Sequence, residues 1–239
     1  MSVHRVSTLP VLPHWMRYIE GEVPILLVAP HGGRRPADAP IRDSVKVNDL
    51  HTAELTAELA ARTRSYALIN QSLDRNEIDL NRVSQVRTAA AWFPDALVEI
   101  VSHLIAQHGT ARVFFMHGWN VVQPVRDLGV GLKQHGTHIV PAGKGAPTLG
   151  TAFFSEVLLP FQTLSVAEGL DVTLGRRYPA AAKNNFMQVF SPRFAEDESD
   201  TIRTLAELSI QEKINAVQLE LGVGLRWPGP QREQFCDLF

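Results

Sequence analysis

The stretch Ile25-Leu26-Leu27-Val28-Ala29-Pro30-His31-Gly32-Gly33 decides the fold. Five apolar residues in a row, closed by proline and glycine, have the length and composition of a strand buried on both faces. Such strands belong to parallel sheets covered by helices. They also carry His31 to a strand's carboxyl end, where open α/β sheets bind their ligands. A second run, Arg112-Val113-Phe114-Phe115-Met116, ends the same way, in His117-Gly118. Side-by-side parallel strands bring His31 and His117 to one sheet edge, close enough to share a Zn²⁺ through their ring nitrogens. Either histidine alone reads as a strand-end residue hydrogen-bonded locally; the pair reads as a metal site. The glycines that follow are expected to let a substrate approach the backbone closely.

Working outward, apolar periodicity predicts a helix from about Asn48 to Arg62, with Asn48 or Asp49 as its N-cap, and a second from Phe93 to Gln107. Tyr66–Asn70, Leu170–Leu174 and Asn215–Leu221 read as strands, and Glu196–Leu208 as a helix. Thr151–Glu168 is helical with Pro160 expected to kink or split it. The glycine-rich segment Gly129–Pro147 reads as an exposed or active-site loop. Strands alternating with helices imply an α/β fold with a largely parallel sheet covered on both faces. With no internal repeat, low-complexity tract or boundary signal, residues 1–239 read as one domain.

The composition narrows the function. Twenty-three basic against 25 acidic residues give a net charge of −2, no electrostatic basis for a nucleic-acid or anionic-membrane partner. One cysteine, Cys236, excludes an internal disulfide and a cysteine-rich zinc site, so a metal here needs histidine and carboxylate ligands. It also fits a reducing compartment. The first 16 residues lack the apolar core of a signal peptide, and no stretch approaches the ~20 apolar residues of a membrane helix. The expected location is the cytoplasm. No oligomeric state is indicated.

Three further groups carry candidate chemistry. A catalytic zinc takes a third protein ligand, and Asn48-Asp49-Leu50-His51 offers Asp49 and His51, with Asp38 and Asp43 as weaker alternatives. Asp49 serves equally well as a helix N-cap. Asp79-Leu80-Asn81-Arg82 sets an amide beside a guanidinium, which together grip a carboxylate; otherwise Arg82 simply pairs with a neighbouring acid such as Asp79. In Val217-Gln218-Leu219-Glu220-Leu221, alternation puts Gln218 and Glu220 on one face of an apolar strand. A desolvated Glu220 beside a metal is fitted to accept a proton from water; the alternative is an edge strand with a solvated face. Arg176-Arg177 adds positive charge near a substrate or is solvated.

Taken in order, Pro30-His31-Gly32-Gly33, Asn48-Asp49-Leu50-His51, Arg75 ahead of Asp79-Leu80-Asn81-Arg82, His117, Asp127-Leu128-Gly129-Val130-Gly131 and Val217-Gln218-Leu219-Glu220 resemble the N-formylglutamate amidohydrolase family. The match spans about residues 24 to 222, and the family is distantly similar to zinc carboxypeptidases and aspartoacylases. The resemblance implies a three-layer αβα fold of the phosphorylase/hydrolase type, like the zinc exopeptidases, with a mostly parallel mixed sheet and one zinc per chain. It makes His31 and His117 metal ligands and Glu220 the general base, with Arg82 holding the substrate carboxylate and Asn81 assisting.

There are two departures. Carboxypeptidase-like relatives have Glu three residues after the first His, where this chain has Arg34, so the resemblance assigns the metal carboxylate to Asp49. His-Gly-Gly stands where the amidohydrolases usually show His-Ser-Gly, and Tyr178–Gln188, which fits the pattern poorly, is expected to line the substrate pocket. The implied activity is zinc-dependent hydrolysis of an N-acyl, formyl-type amide of an amino acid bearing a carboxylate, such as N-formylglutamate. The rivals are a zinc carboxypeptidase or deacylase acting on short peptides or cell-wall fragments, and a ligand-binding protein that kept the fold. A phosphoryl-transfer enzyme is disfavoured, since the chain has no Gly-rich Walker loop.

Overall fold

In the computed structural model, which describes residues 11–34, 37, 46–136 and 138–239, a seven-stranded sheet is covered by helices on both faces. The strands are β1 (Met16–Ile19), β2 (Ile25–Ala29), β3 (Tyr66–Asn70), β4 (Ala111–Gly118), β5 (Val125–Gly129), β8 (Asp171–Leu174) and β9 (Ile214–Leu221), in the order β1-β3-β2-β4-β9-β5-β8. β6 (Leu132–His135) and β7 (His138–Pro141) form a separate hairpin. The pairings β2 with β3, β2 with β4, β4 with β9 and β5 with β8 are parallel. β1 on β3 and β5 on β9 run antiparallel. The mostly parallel mixed sheet and three-layer αβα architecture expected from the sequence are therefore present.

Alternation along the strands divides the core. On one face Leu26, Val28, Val113 and Phe115 pack against α3 (Trp92–His108) and α6 (Asp200–Ile210), with α2 (Val83–Ala89) beside them. On the other, Leu27, Ala29, Val217 and Leu219 pack against α1 (Thr52–Thr63), α5 (Leu159–Ala167) and α8 (Pro230–Leu238). This second face also buries the Arg126 guanidinium, which has no hydrogen-bond partner among the described residues. It lies 4.5 Å from the Phe161 ring centroid and 5.2 Å from that of Phe235, and burial pulls its pKa down to about 10.

Several elements differ from the sequence reading for physical reasons. α1 begins at Thr52 rather than Asn48, because its N-cap is His51 in the left-handed region at φ 65°. Asp49 is thus not the cap; only its backbone carbonyl meets the helix start, accepting the Thr52 N–H. β4 extends through His117 to Gly118, so His117 is a strand residue with fixed register. Gly129–Pro147, read as a loop, contains β6 and β7, whose Leu132 and Ile139 pack on the second core face. The Thr151–Glu168 helix is broken as expected near Pro160. After α4 (Thr151–Phe153), a π-helical turn at Phe154–Leu158 precedes α5, with the Leu159 N–H donating five residues back to the Phe154 carbonyl just before Pro160, which has no N–H to donate. α6 starts at Asp200, where the Ser199 side chain accepts from the Ile202 N–H. A short α7 (Val223–Arg226) follows β9. Among the described residues, no single helix is long and apolar enough to cross a membrane.

Candidate metal centre

The carboxyl ends of β2, β4 and β9 meet at one edge of the first core face. Register sets the row: His117 on β4 stands beside Glu220 on β9, which stands beside Asp127 on β5, followed by Thr173 on β8. Paired positions share a face of the sheet, so three ionisable side chains are aligned across three strands. His31 follows the end of β2, two strands from β9. Its backbone carbonyl accepts from the Asp49 N–H at 2.9 Å, which brings the segment before α1 over the sheet edge.

There Asp49 sits between the two imidazoles. Its Oδ2 lies 3.3 Å from His31 Nδ1 and 3.1 Å from His117 Nδ1, with all three residues buried. One ligand atom from each of the three residues falls within 4.8 Å of the others. A tetrahedral zinc with bonds of about 2.0–2.1 Å needs ligand atoms roughly 3.3 Å apart, so both Asp49–histidine separations fit. Burial works against ionisation of Asp49, but hydrogen bonds and charge from His117 and His31 hold its carboxyl far below the usual range. Burial pushes the His117 imidazole down, favouring the neutral form that ligates metals. His51, the other residue considered as third ligand, lies outside the group: its ring packs against Trp227, centroids 4.2 Å apart and planes inclined at 60°. Asp38 and Asp43 fall outside the described residues.

Asp79 sets the orientation of His31. Nε2 of His31 donates to Asp79 Oδ1 at 2.8 Å, which leaves Nδ1 as the nitrogen turned toward Asp49 and His117. Asp79 is in turn gripped by Lys46 Nζ at 2.6 Å and approached by Arg75 Nη2 at 3.5 Å, and Arg75 Nη1 also reaches Asp49 at 3.3 Å. These cations and the His31 bond keep the Asp79 carboxyl ionised against its burial. This role was not visible in the sequence, where Asp79 figured only as a partner for Arg82. Arg82 Nε is 3.7 Å from Asp79 Oδ2 and the side chain is 43% exposed, leaving its guanidinium available to a ligand.

Glu220 is buried on a central strand, not a solvated edge, and Gln218 Nε2 donates to its Oε1 at 2.7 Å. Burial together with the negative charge of Asp49 and Asp127 pushes its pKa well above the ordinary carboxylate range. Glu220, Asp49 and His117 line a cavity of about 370 Å³ whose wall also holds Asn81, Arg82 and Asn185. The Tyr178–Gln188 segment supplies much of that wall. It is pinned to the Asn-Arg turn by Val83 N–H to the Asn184 carbonyl and Phe186 N–H to the Asn81 carbonyl.

Two further residues organise the site: Asp127, from the Asp-Leu-Gly-Val-Gly motif but with no role assigned from sequence, and Arg226, which has no local signature. Asp127 accepts from the backbone N–H groups of Arg176, Arg177 and Tyr178 and from the Thr173 hydroxyl, fixing the turn that presents Arg177 and Tyr178 to the cavity. Arg226, 1% exposed, donates to the carbonyls of Leu50, Trp119 and Leu221, so one guanidinium joins the chain next to Asp49, past His117 and next to Glu220. Gly118 makes room for it, since a Cβ there would stand 2.7 Å from the Arg226 guanidinium carbon. Gly32 and Gly33 have another purpose than the expected substrate approach. A Cβ on Gly32 would meet that of Ala53 at 2.6 Å, and one on Gly33 the Leu73 carbonyl at 2.0 Å, so they let the chain pass between those segments.

Arg226→Ala strands three buried carbonyls and opens a cavity beneath the site. The expected loss is about 2–3 kcal/mol of unfolding free energy, measured by urea denaturation of the metal-free protein. A change under about 0.5 kcal/mol would show that the guanidinium does not bind these segments together.

The fold has solved counterparts. N-formylglutamate amidohydrolase from Ralstonia eutropha JMP134 aligns with a TM-score of 0.59 at 14% identity, over 93% of this chain and 93% of its own. A gene product from Agrobacterium tumefaciens aligns with a TM-score of 0.53 at 12% identity, over 94% of this chain and 91% of its own. No family model matches the chain, and no curated protein matches its sequence. At these identities the likeness is one of fold: the chain has the αβα architecture of N-formylglutamate amidohydrolase along nearly its whole length.

Proposed function

We propose that the chain is a zinc-dependent amidohydrolase that cleaves the N-acyl group from an amino acid bearing a carboxylate. One juxtaposition carries this reading: Asp49 and His117 of the buried His31-Asp49-His117 group, the buried Glu220 and the Asn81-Arg82 pair line a single cavity. A binding module has no need of a buried base, and the fold shared with an amidohydrolase points the same way.

Zinc held by His31, Asp49 and His117 supplies Lewis acidity to the scissile carbonyl and eases deprotonation of water. Arg82 and Asn81 take the substrate carboxylate, so that binding energy fixes the amide against the sheet edge. Glu220 accepts a proton from the attacking water as its oxygen bonds to the carbonyl carbon. When the C–N bond breaks, Glu220 passes that proton to the leaving nitrogen. The products are a carboxylic acid, formate for a formyl substrate, and the free amino acid. Arg75, set between Asp49 and Asp79, holds the ligand carboxylate and the His31 partner in register.

The test is amine release from N-formyl- and N-acetyl-L-glutamate by protein stripped with chelator and then given one equivalent of zinc. The expected result is turnover that appears with zinc and disappears with chelator. Turnover that is indifferent to chelator, or cleavage confined to peptides, would contradict the reading.

A further inference from the structure

A second cavity, of about 530 Å³, adjoins the first. Asp49, Arg75, Gly118, Arg177 and Tyr178 line both, while Glu220, Asn81 and Arg82 line only the first and Asn120 only the second. Most of the charge on these walls is already committed. Asp49 is turned to His31, His117 and Arg75, and Arg75 is shared between Asp49 and Asp79. Arg177 differs. It is exposed, and its guanidinium has no ion-pair or hydrogen-bond partner among the described residues. The cavities thus offer two guanidiniums to a ligand, Arg82 in the first and Arg177 on the wall common to both.

A single carboxylate occupies one such fork. Asp49 lines both cavities, so a scissile carbonyl presented to the His31-Asp49-His117 group sits where they join. Glu220 must reach the leaving nitrogen, and Arg82 the amino acid's carboxylate, so the amino-acid half fills the first cavity. The acyl half then faces the second, whose one uncommitted charge is Arg177, with Asn120 as a further donor. A formyl group has only a hydrogen to place there. We infer that the substrate's acyl group ends in a second carboxylate held by Arg177, making the substrate an N-carboxyacyl amino acid such as a malonyl or succinyl amide; this rests on the amidohydrolase reading above. Hydrolysis adds water across the C–N bond and releases a dicarboxylic acid and the free amino acid.

The backbone under Arg177 is set in advance. The N–H groups of Arg176, Arg177 and Tyr178 donate to the buried Asp127 carboxylate at 3.0, 2.7 and 2.7 Å, and the Thr173 hydroxyl donates to it at 2.7 Å. Four donors use up what a carboxylate can accept, which leaves the Arg177 guanidinium unbridged. Only the side chain remains for a ligand to order. Arg176 is equally exposed but lines neither cavity, so it serves as the control.

The test compares two carboxylate–carboxamide pairs on the zinc-loaded protein. N-succinyl- and N-succinamoyl-L-glutamine differ only in charge at the acyl end; N-formyl-L-glutamate and N-formyl-L-glutamine differ only in charge on the side chain. kcat/KM is expected to be at least about tenfold higher for succinyl than for succinamoyl, the worth of one charge-assisted hydrogen bond. Arg177→Ala should bring that ratio to within about threefold of one. Arg177→Lys should recover part of it, and Arg176→Ala should leave it unchanged. Calorimetric titration of zinc-loaded Glu220→Gln protein should show the succinyl compound binding about tenfold more tightly than the succinamoyl one. Equal rates for that pair, or a preference that survives Arg177→Ala, overturn the acyl carboxylate and leave the amidohydrolase reading standing. So does an Arg177-dependent preference confined to the formyl pair, which puts the second carboxylate on the amino-acid side chain. If none of the four compounds is cleaved, both fall.

Discussion

Glu220→Gln is expected to lower kcat about 10²- to 10⁴-fold, the range a positioned general base supplies, with zinc content and substrate affinity unchanged. The substitution is conservative where it matters. Glutamine keeps the volume of the buried side chain, and its amide oxygen can go on accepting from Gln218 Nε2. It also removes a carboxyl whose ionisation burial opposes, so the fold loses nothing by it. A rate loss therefore reports chemistry. The pH profile gives a second signature. Because burial, Asp49 and Asp127 raise the Glu220 pKa, wild-type kcat/KM should fall as pH drops through that raised value and the base becomes protonated; a bound divalent ion draws the value part of the way back. That acid limb should be absent in Glu220→Gln. A variant with near wild-type rate removes Glu220 from the mechanism.

Arg82→Ala should cost about 10²- to 10³-fold in kcat/KM, mostly through KM, because it deletes a charge-assisted fork on the substrate carboxylate. The fold does not depend on this guanidinium: its one described carboxylate partner, Asp79, is 3.7 Å away and already bound by His31 and Lys46. Unfolding free energy should change by under about 0.5 kcal/mol. Arg82→Lys should restore only part of the loss, since an ammonium offers charge without the bidentate geometry. An N-acyl amino acid amide, with that negative charge gone, should be cleaved equally slowly by wild type and Arg82→Ala. If the amide substrate instead suffers the full loss on mutation, Arg82 acts on something other than the carboxylate.

What the sequence made legible follows from how local each signal is. Apolar runs delimit β2 and β3 to the residue, because burial on both faces leaves no polar alternation to blur the ends. His31 and His117 could be paired from two strand-end motifs alone. Asp49 was readable as a ligand or a cap but not as one over the other. The choice turns on helix α1 starting at Thr52, with a left-handed His51 that no periodicity announces. The supporting contacts were out of reach because they are remote in sequence. Asp79 meets His31 across 48 residues, Asp127 meets Tyr178 across 51, and Arg226 meets Leu50 across 176. Each is a single side chain whose meaning appears only once the sheet edge is assembled. Arg126, buried against two phenylalanine rings, gave no local sign either, since strand alternation alone does not say which residues close over a charge.

The measurement that bears most directly on the central claim is metal content by elemental mass spectrometry on wild type and His117→Ala, after zinc loading and gentle dialysis. The account predicts about one zinc per chain in wild type, as a three-ligand site retains it, and far less in His117→Ala. Absence of zinc from both, or equal zinc in both, would contradict the assignment of His31, Asp49 and His117 as a metal site.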